Sequence, residues 1–437
     1  MNQTFSPLIG STRNSLVKLY HSIPGVRNSI GLPSGFYASF IDWIQQIQTD
    51  DNTTVNCQEI YSRHKIFRSQ PKTIESTIHK NFAISNVNYS FESASVSLIE
   101  AKTTDGFKLW GPNGAVITPD NKLVVDSPGE FYVDPTQGYD HSVFLQWRLP
   151  PLSEIKGKVA VLSAPGSHSY FHWMLNTLPR FHLLEAGGVD LNSIDRFILS
   201  KNCHTKFHLE TLNALNISQE KIILADWQFH AKVEHLVIPH GLCLPAEPTS
   251  EDVLRYKKYG SFTGNVPRWA CDFVRKLFLP STAFASPTPK SRKIYITRKT
   301  SIRKVLNEPE VIEFLTEHGF ETVDLAEFSI AEQAKLLNSA SAVVAVHGAG
   351  LTNVVFCREG TKVIEIFPQD YVKLTYWGLC NILNLDYYYA IGEVEQSVDE
   401  SDDYAARQQN LLIPIKKLSE LLNKADYFLK GNIPSKP

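Results

Sequence analysis

VVAVHGAGLTNVVF, residues 343–356, decides how this chain reads. The apolar run Ala342–Val346 has the length and β-branched content of a buried strand. Gly348 and Gly350 then remove side chains where a helix begins. The first amides of a helix lack internal partners and sit at the positive end of its dipole, so such a turn suits an anion. Thr352 and Asn353 add hydrogen-bonding groups, and a diphosphate fits a cradle of this length. Glycines at these positions would also serve tight packing of strand on helix. A G-x-G alone does not separate the two uses; strand, glycine turn and helix in succession favour the phosphate.

Working outward, KVIEIF (362–367) is the next strand. A carboxylate inside a buried strand is costly without a partner. Glu365 is therefore expected at the sheet mouth, accepting hydrogen bonds from two ribose hydroxyls; an ordinary salt bridge is the alternative. Upstream lies YITRKTSIRKVLNEPE (295–310). Arg298 follows the strand Lys293–Thr297, with Lys299, Arg303 and Lys304 close behind. A planar guanidinium matches phosphate geometry, and Arg298 is expected to stabilise a departing nucleoside diphosphate. Lys299 and Lys304 read as solvated. A helix is expected over Pro309–His318, capped by Asn307 with Glu310 at its third position and ended by Gly319. A strand at Glu321–Asp324 and a helix at Ile330–Ser339 complete a β-α-β-α order, which argues for a parallel sheet with its ligand beyond the carboxyl ends of the strands.

An earlier segment repeats the pattern. Lys158–Ser163 reads as a strand, Ala164–Ser169 as a glycine-containing loop and Phe171–Glu185 as a helix. Strands follow at Arg196–Leu199, Ile222–Leu224 and Leu236–Ile238, with a helix at Thr205–Leu215 between the first two. SHSYFHWMLNTLPRFHLL (167–184) holds His168, His172, Trp173, Asn176 and Arg180. His168 and His172, four residues apart, share a face. A neutral histidine there suits general-base work on a hydroxyl. The pair could also ligate zinc, but no acidic third ligand stands at metal-site spacing. Trp173 fits a core position as well as a sugar platform. Before this segment, residues 80–150 hold short β-like runs with hairpin punctuation at Asn113-Gly114. The expected division is an appendage at 1–60, an N-terminal acceptor-side domain at 61–250 and a C-terminal donor-binding domain at 251–437. PAEPTS (245–250) would be the linker, and a tail helix at Ile413–Leu422 would pack back on the first domain.

The 437 residues carry a formal charge of −2 without a long basic stripe, which excludes nucleic-acid binding by phosphate neutralisation. Six scattered cysteines form no C-x-x-C pair, and free thiols in a reducing compartment are expected. No apolar run approaches the roughly 20 residues that span a bilayer. The start lacks the apolar core of a signal peptide. A cytoplasmic protein is expected, with peripheral membrane association through Leu16–Tyr20 as an option.

Together these motifs resemble glycosyltransferase family 61, whose bacterial members are often described as capsular polysaccharide biosynthesis proteins. HWMLNTLPR (172–180), ITRK (296–299), LNE (306–308), HGAGLTN (347–353) and GTKVIEIFP (360–368) stand in the family's order and spacing. The resemblance runs from about residue 80 to about residue 395. It implies a GT-B-like α/β fold: two facing Rossmann-like domains with an interdomain cleft and an N-terminal β-rich extension. It implies inverting transfer from a nucleotide-sugar to a glycan or lipid-linked glycan acceptor, in capsular, exopolysaccharide or O-antigen synthesis, without a metal or further cofactor. The implied donor-binding residues are His347, Gly348, Ala349, Gly350, Leu351, Thr352, Asn353, Glu365 and Arg303. Arg298 would stabilise the leaving group, and His172, or failing it His168, would be the base. Trp173, Asn176 and Arg180 would face the acceptor. Many relatives carry an acidic residue where this chain has Asn176. That departure keeps open a non-catalytic nucleotide-sugar-binding partner of polysaccharide assembly; a GT-B-like sugar-nucleotide epimerase is a third reading.

Overall fold

The computed structural model describes residues 16–17, 30–47, 52–84, 90–126, 129–130, 133, 135–242, 266–283, 291–298, 302–399 and 402–427. The expected linker at 245–250, Lys299, and residues 18–20 of the expected membrane-contacting stretch lie outside them. Contacts divide the chain into two units. The first comprises Met1–Ser62, Ala94–Leu242 and Pro248–Ser261; the second comprises Arg63–Ser93, Cys243–Glu247 and Phe262–Pro437. Residues 63–93, assigned above to the first domain, thus belong with the second, because Lys72–Thr73 pairs with a strand there.

The first unit is built on one nine-stranded sheet. The strands that matter are β1 (Val96–Trp110), β2 (Ser153–Val161), β3 (Arg196–Ser200), β4 (Ile222–Ala225) and β5 (His230–His240). β5, β2, β3 and β4 run parallel in that order. β5 also pairs antiparallel with β1, which continues into hairpins. The β-rich start and the α/β segment, read from sequence as successive pieces, therefore share a single sheet. Register breaks between Val233 and His235 in both of β5's pairings. Aligned bulges of this kind bend a sheet. The bend is large: a Cβ on Gly114, at the hairpin after β1, would stand 3.1 Å from Ile198 Cγ2 in β3. In a flat sheet three strand spacings, about 14 Å, would separate them. The sheet folds over itself and encloses Phe107, Leu109, Val159, Val161 and Ile198. Phe40 and Trp43 fill the same core and Thr53–Tyr61 pairs with β1, so residues 35–47 and 53–61 are part of the sheet and its core, not an appendage. Burying two large rings outweighs the weak periodicity that made this region read as peripheral.

The second unit has a six-stranded sheet, parallel throughout. Its strands are β6 (Arg292–Ile296), β7 (Phe320–Val323), β8 (Ala340–Val346), β9 (Lys362–Phe367) and β10 (Asp386–Ile391), ordered β7-β6-β8-β9-β10 and closed by Lys72–Thr73. In chain order that is 2-1-3-4-5, whose topological switch point lies between β6 and β8. Helices α1 (Pro179–Ala186) and α2 (Lys206–Ala214) belong to the first unit. In the second, α3 (Arg268–Phe278), α4 (Glu308–Glu317), α5 (Ile330–Asn338), α6 (Thr375–Ile382) and α7 (Ile415–Tyr427) flank the sheet. Leu418, Leu421 and Ala425 of α7 share a core with Val344, Ile366 and Tyr388, so the tail helix packs on its own unit. Gly319, at φ +79°, ends α4 as expected. Asn307 stands at the N-cap of α4, but its side chain makes no capping bond there. Its amide instead bonds both backbone groups of Ile413, a two-point tertiary match that outcompetes one local bond.

Candidate functional site

The switch point of the second unit is where the charges gather. β6 ends at Ile296, and Glu308 at the start of α4 accepts from Tyr295, Thr297 and, at 3.5 Å, the Arg298 amide. That clamp fixes the root of Arg298. Its Nη1 donates to the carbonyl of His347 at 2.9 Å, and Arg303 Nε donates to the same oxygen at 3.0 Å. Arg303 also donates to the Arg407 carbonyl and lies 5.2 Å over the Tyr371 ring. It holds φ +61°, an uncommon conformation for a side-chain-bearing residue, so its placement is maintained by these contacts. A Cβ on Gly348 would fall 1.5 Å from Arg298 Nη1. Gly348 itself is extended (φ 165°), so it is glycine for the approach of the guanidinium rather than for its backbone angles. Burial, then Arg303, lowers the Arg298 pKa to about 10, which leaves it charged at neutral pH.

The short helix Ala349–Phe356 starts beside this pair without a side-chain cap. Its far end is held by buried Arg275, which donates to the carbonyls of Val355 and Cys357. Ala349 is exposed and Gly350 half-buried, so the first turn is reachable from solvent. The rest of the expected cradle is interior. Leu351, Thr352 and Asn353 are buried; Thr352 faces the Tyr376 hydroxyl and Asn353 donates to the Gly350 carbonyl. They shape the loop from within.

Glu365 is likewise interior, at 0% exposure, and not at the sheet mouth. One oxygen meets His347 Nδ1 at 2.5 Å and the other accepts from Tyr387 at 2.5 Å. Its fourth place in β9 points it into the packed face, where a carboxylate is retained only with both oxygens satisfied. Burial raises Glu365's pKa, while burial and the nearby Arg303, Arg298 and Lys373 depress His347's. Phe367 stacks on His347, with Tyr371 and Tyr376 around it. The expected ribose ligand is thus a buried support that fixes the imidazole carrying the shared carbonyl.

The matching edge of the first unit is neutral. The expected helix Phe171–Glu185 is broken into Tyr170–His172, a π-helical turn Trp173–Thr177, and α1. Pro179 supplies the reason: it has no N–H, and Leu178 reaches back five residues to Trp173 O at 2.8 Å. His172 Nδ1 lies 3.1 Å from the Asn176 amide. Burial and His168 lower the His172 pKa to about 4, so the ring is neutral at ordinary pH. His168 is exposed. The loop between them is pinned by Ser167, which meets Thr177 at 2.8 Å, and by buried His208, 3.0 Å from the Ser167 carbonyl. Two expected acceptor contacts are internal. Trp173 is fully buried with its Nε1 donating to Thr211, the usual fate of a core indole. Arg180 is buried and donates to the carbonyls of Asn176, in the π-turn, and of Pro239, in β5.

Sequence reasoning missed Tyr371, Lys373, Tyr376 and Tyr387. The run YVKLTYW (371–377), just past the Glu365 strand, was the available signal for the first three. Nothing marked Asp403, the partner of Lys373 at 2.5 Å. Among the described residues no cluster of three or more His, Cys, Asp or Glu could hold a metal ion, and no helix is long and apolar enough to cross a membrane.

Guanidiniums over a glycine turn at a parallel-sheet switch point, with a histidine-bearing edge in a second α/β unit, match a known sequence pattern. Residues 170–364 match the model of the family described as Glycosyltransferase 61. The matched segment contains β6, β8 and the first half of β9, as well as His172 and both site arginines. Similar curated proteins include beta-1,2-xylosyltransferase XAX1 of Oryza sativa subsp. japonica, 37% identical over 27% of this chain and 22% of its own length. Alpha-1,3-arabinosyltransferase XAT3 of the same plant is 36% identical over 30% of this chain and 23% of its own. Protein O-linked-mannose beta-1,4-N-acetylglucosaminyltransferase 2 of Canis lupus familiaris is 35% identical over 17% of this chain and 13% of its own. The matches thus span less than a quarter of these relatives' length, and these relatives are plant and animal proteins rather than bacterial ones.

Proposed function

We propose that this chain is an inverting glycosyltransferase that moves a sugar from a nucleotide-sugar to a glycan acceptor. The observation that carries the reading is Arg298 lying over Gly348 at the switch point, its charge directed to the start of an uncapped helix. In this reading the pyrophosphate binds against Arg298, Arg303 and the amides of Ala349 and Gly350. His172 takes the proton from an acceptor hydroxyl as that oxygen attacks the anomeric carbon. The bond from that carbon to phosphate breaks in the same step, and the nucleoside diphosphate leaves with its charge held by the two arginines. A GT-B arrangement of the two units belongs to the proposal, as does metal independence: two guanidiniums supply the charge a divalent cation would otherwise bring. Chelator should therefore leave turnover unchanged.

The relatives' names differ in the sugar they specify, so pentose donors are the first to try and hexose donors the second. A glycan acceptor is proposed on the same ground; a capsular or other bacterial polysaccharide is only one version of it. The test is a thermal-shift and turnover panel of uridine- and guanosine-linked sugars. At least one should stabilise the protein and turn over, and Arg298→Ala should abolish both effects. A second reading, a non-catalytic donor-binding partner, draws on Asn176 standing beside His172, at a position where the family resemblance implies an acid. It predicts donor stabilisation with no turnover in any acceptor mixture. A donor recovered as its epimer would indicate epimerase chemistry instead.

A further inference from the structure

The first unit carries a second group of side chains that the reaction above does not use. β4 ends at Ala225, and the turn that follows raises Trp227 to 54% exposure. The turn is rigid. Asp226 accepts from the Gln228 amide and from Lys201 Nζ, both at 2.8 Å, and the Phe229 carbonyl takes the Gly111 amide at 3.0 Å. The Trp227 ring leans on Trp110, 5.7 Å between centroids and tilted 58°. Trp110 stands directly opposite His230 across the β1–β5 pair, so both project from the same sheet face. His230 uses Nδ1 as a donor to the Pro150 carbonyl at 2.7 Å, which makes its Nε2 an acceptor. That Nε2 and the Trp110 Nε1–H are both buried without a hydrogen-bond partner. Buried polar groups are seldom left so. The pair lacks a group that accepts from an indole N–H and donates to an imidazole nitrogen, and a hydroxyl does both.

We infer that Trp227, Trp110 and His230 form a glycan subsite: a pyranose ring stacks its apolar C–H face on Trp227 while one of its hydroxyls bridges Trp110 and His230. The inference rests on the glycosyltransferase reading for its ligand class and on separate residues for its chemistry.

The full-length chain is titrated with xylohexaose and mannohexaose, with xylose and mannose as single-ring controls, by calorimetry and by the indole N–H resonance of Trp110, assigned with Trp110→Phe. At least one hexasaccharide is expected to bind, to shift that resonance, and to lose at least tenfold affinity in Trp227→Ala. Trp227→Phe, which keeps a stacking face, should retain most of the affinity and guards against a folding defect. His230→Ala should weaken binding less than Trp227→Ala. The proposal is overturned if neither hexasaccharide binds, if Trp227→Ala binds as tightly as the parent, or if the Trp110 resonance stays put, which would mean that an ordinary buried water occupies the gap. Nucleotide-sugar stabilisation, measured on the same variants, reports on the donor site separately. Its loss in the parent would sink the transferase reading, whereas its persistence in Trp227→Ala would confine any defect to the acceptor side.

Discussion

The two carboxyl edges solve opposite electrostatic problems with similar backbone. Each has a parallel strand, a glycine-bearing loop and a short, imperfect helix. In the second unit the loop lies under two guanidiniums that share one carbonyl, and the imidazole beneath them is locked by buried Glu365. In the first unit the loop is pinned by hydroxyl and carbonyl contacts, and a π-turn presents a histidine kept neutral by burial. A fixed positive field is suited to a departing diphosphate, and an uncharged imidazole to accepting a proton. The division of labour lies in the side chains, because the backbone plan hardly differs.

The sharpest way to break this contrast is to remove the group through which each edge is proposed to act. His172→Ala should lower kcat by about 10²–10⁴ with nucleotide-sugar affinity unchanged. Arg298→Ala should cost about 10²–10³ in kcat/KM and remove donor stabilisation. Gly348→Ala should follow Arg298→Ala closely, because the new methyl occupies the place of Nη1. A Gly348→Ala protein with normal turnover would show that the guanidinium need not be there.

Glu365→Ala sharpens the comparison differently. It leaves His347 and Tyr387 without partners inside the core, and should cost about 3 kcal/mol in denaturant unfolding. If Glu365 bound ribose, the loss would appear in KM for the donor and not in stability.

The pH dependence follows from His172. As the proposed base it accepts a proton only when neutral, so kcat/KM should hold steady from pH 7 toward 5 and fall as pH drops through about 4. Asn176→Asp places a carboxylate beside the ring, favours the imidazolium, and should move that limb to higher pH. Stability has the same sign. The unfolded histidine takes up its proton near 6.5 and the folded one only near 4, so this contribution declines as pH falls through that window and is constant below it. The smallest effect is expected for Trp173→Phe: about 1 kcal/mol from the lost bond to Thr211, with acceptor KM unchanged because the ring is core.

Much was legible because it is local. The strand at 342–346, the glycine turn and Arg298 past its strand end are short-range patterns, and short-range sterics and hydrogen bonding fix them. The π-turn was hidden although its cause, Pro179, stood in plain view: periodicity registers apolar spacing, which the turn hardly disturbs, and not the missing amide.

From the sequence alone came two parallel α/β segments, the glycine turn at Gly348 and Arg298 just past its own strand end, since each depends on neighbours a few residues away; that the guanidinium lands on Gly348 is a contact between strands 50 residues apart. Tertiary structure decided the 2-1-3-4-5 strand order, the fold-over of the first sheet at its bulges, and the turning inward of Glu365, Trp173 and Arg180. Those outcomes depend on which distant groups arrive to satisfy a buried charge or fill a core. Tyr387 for Glu365, Thr211 for Trp173 and the Pro239 carbonyl for Arg180 are partners that no local pattern names.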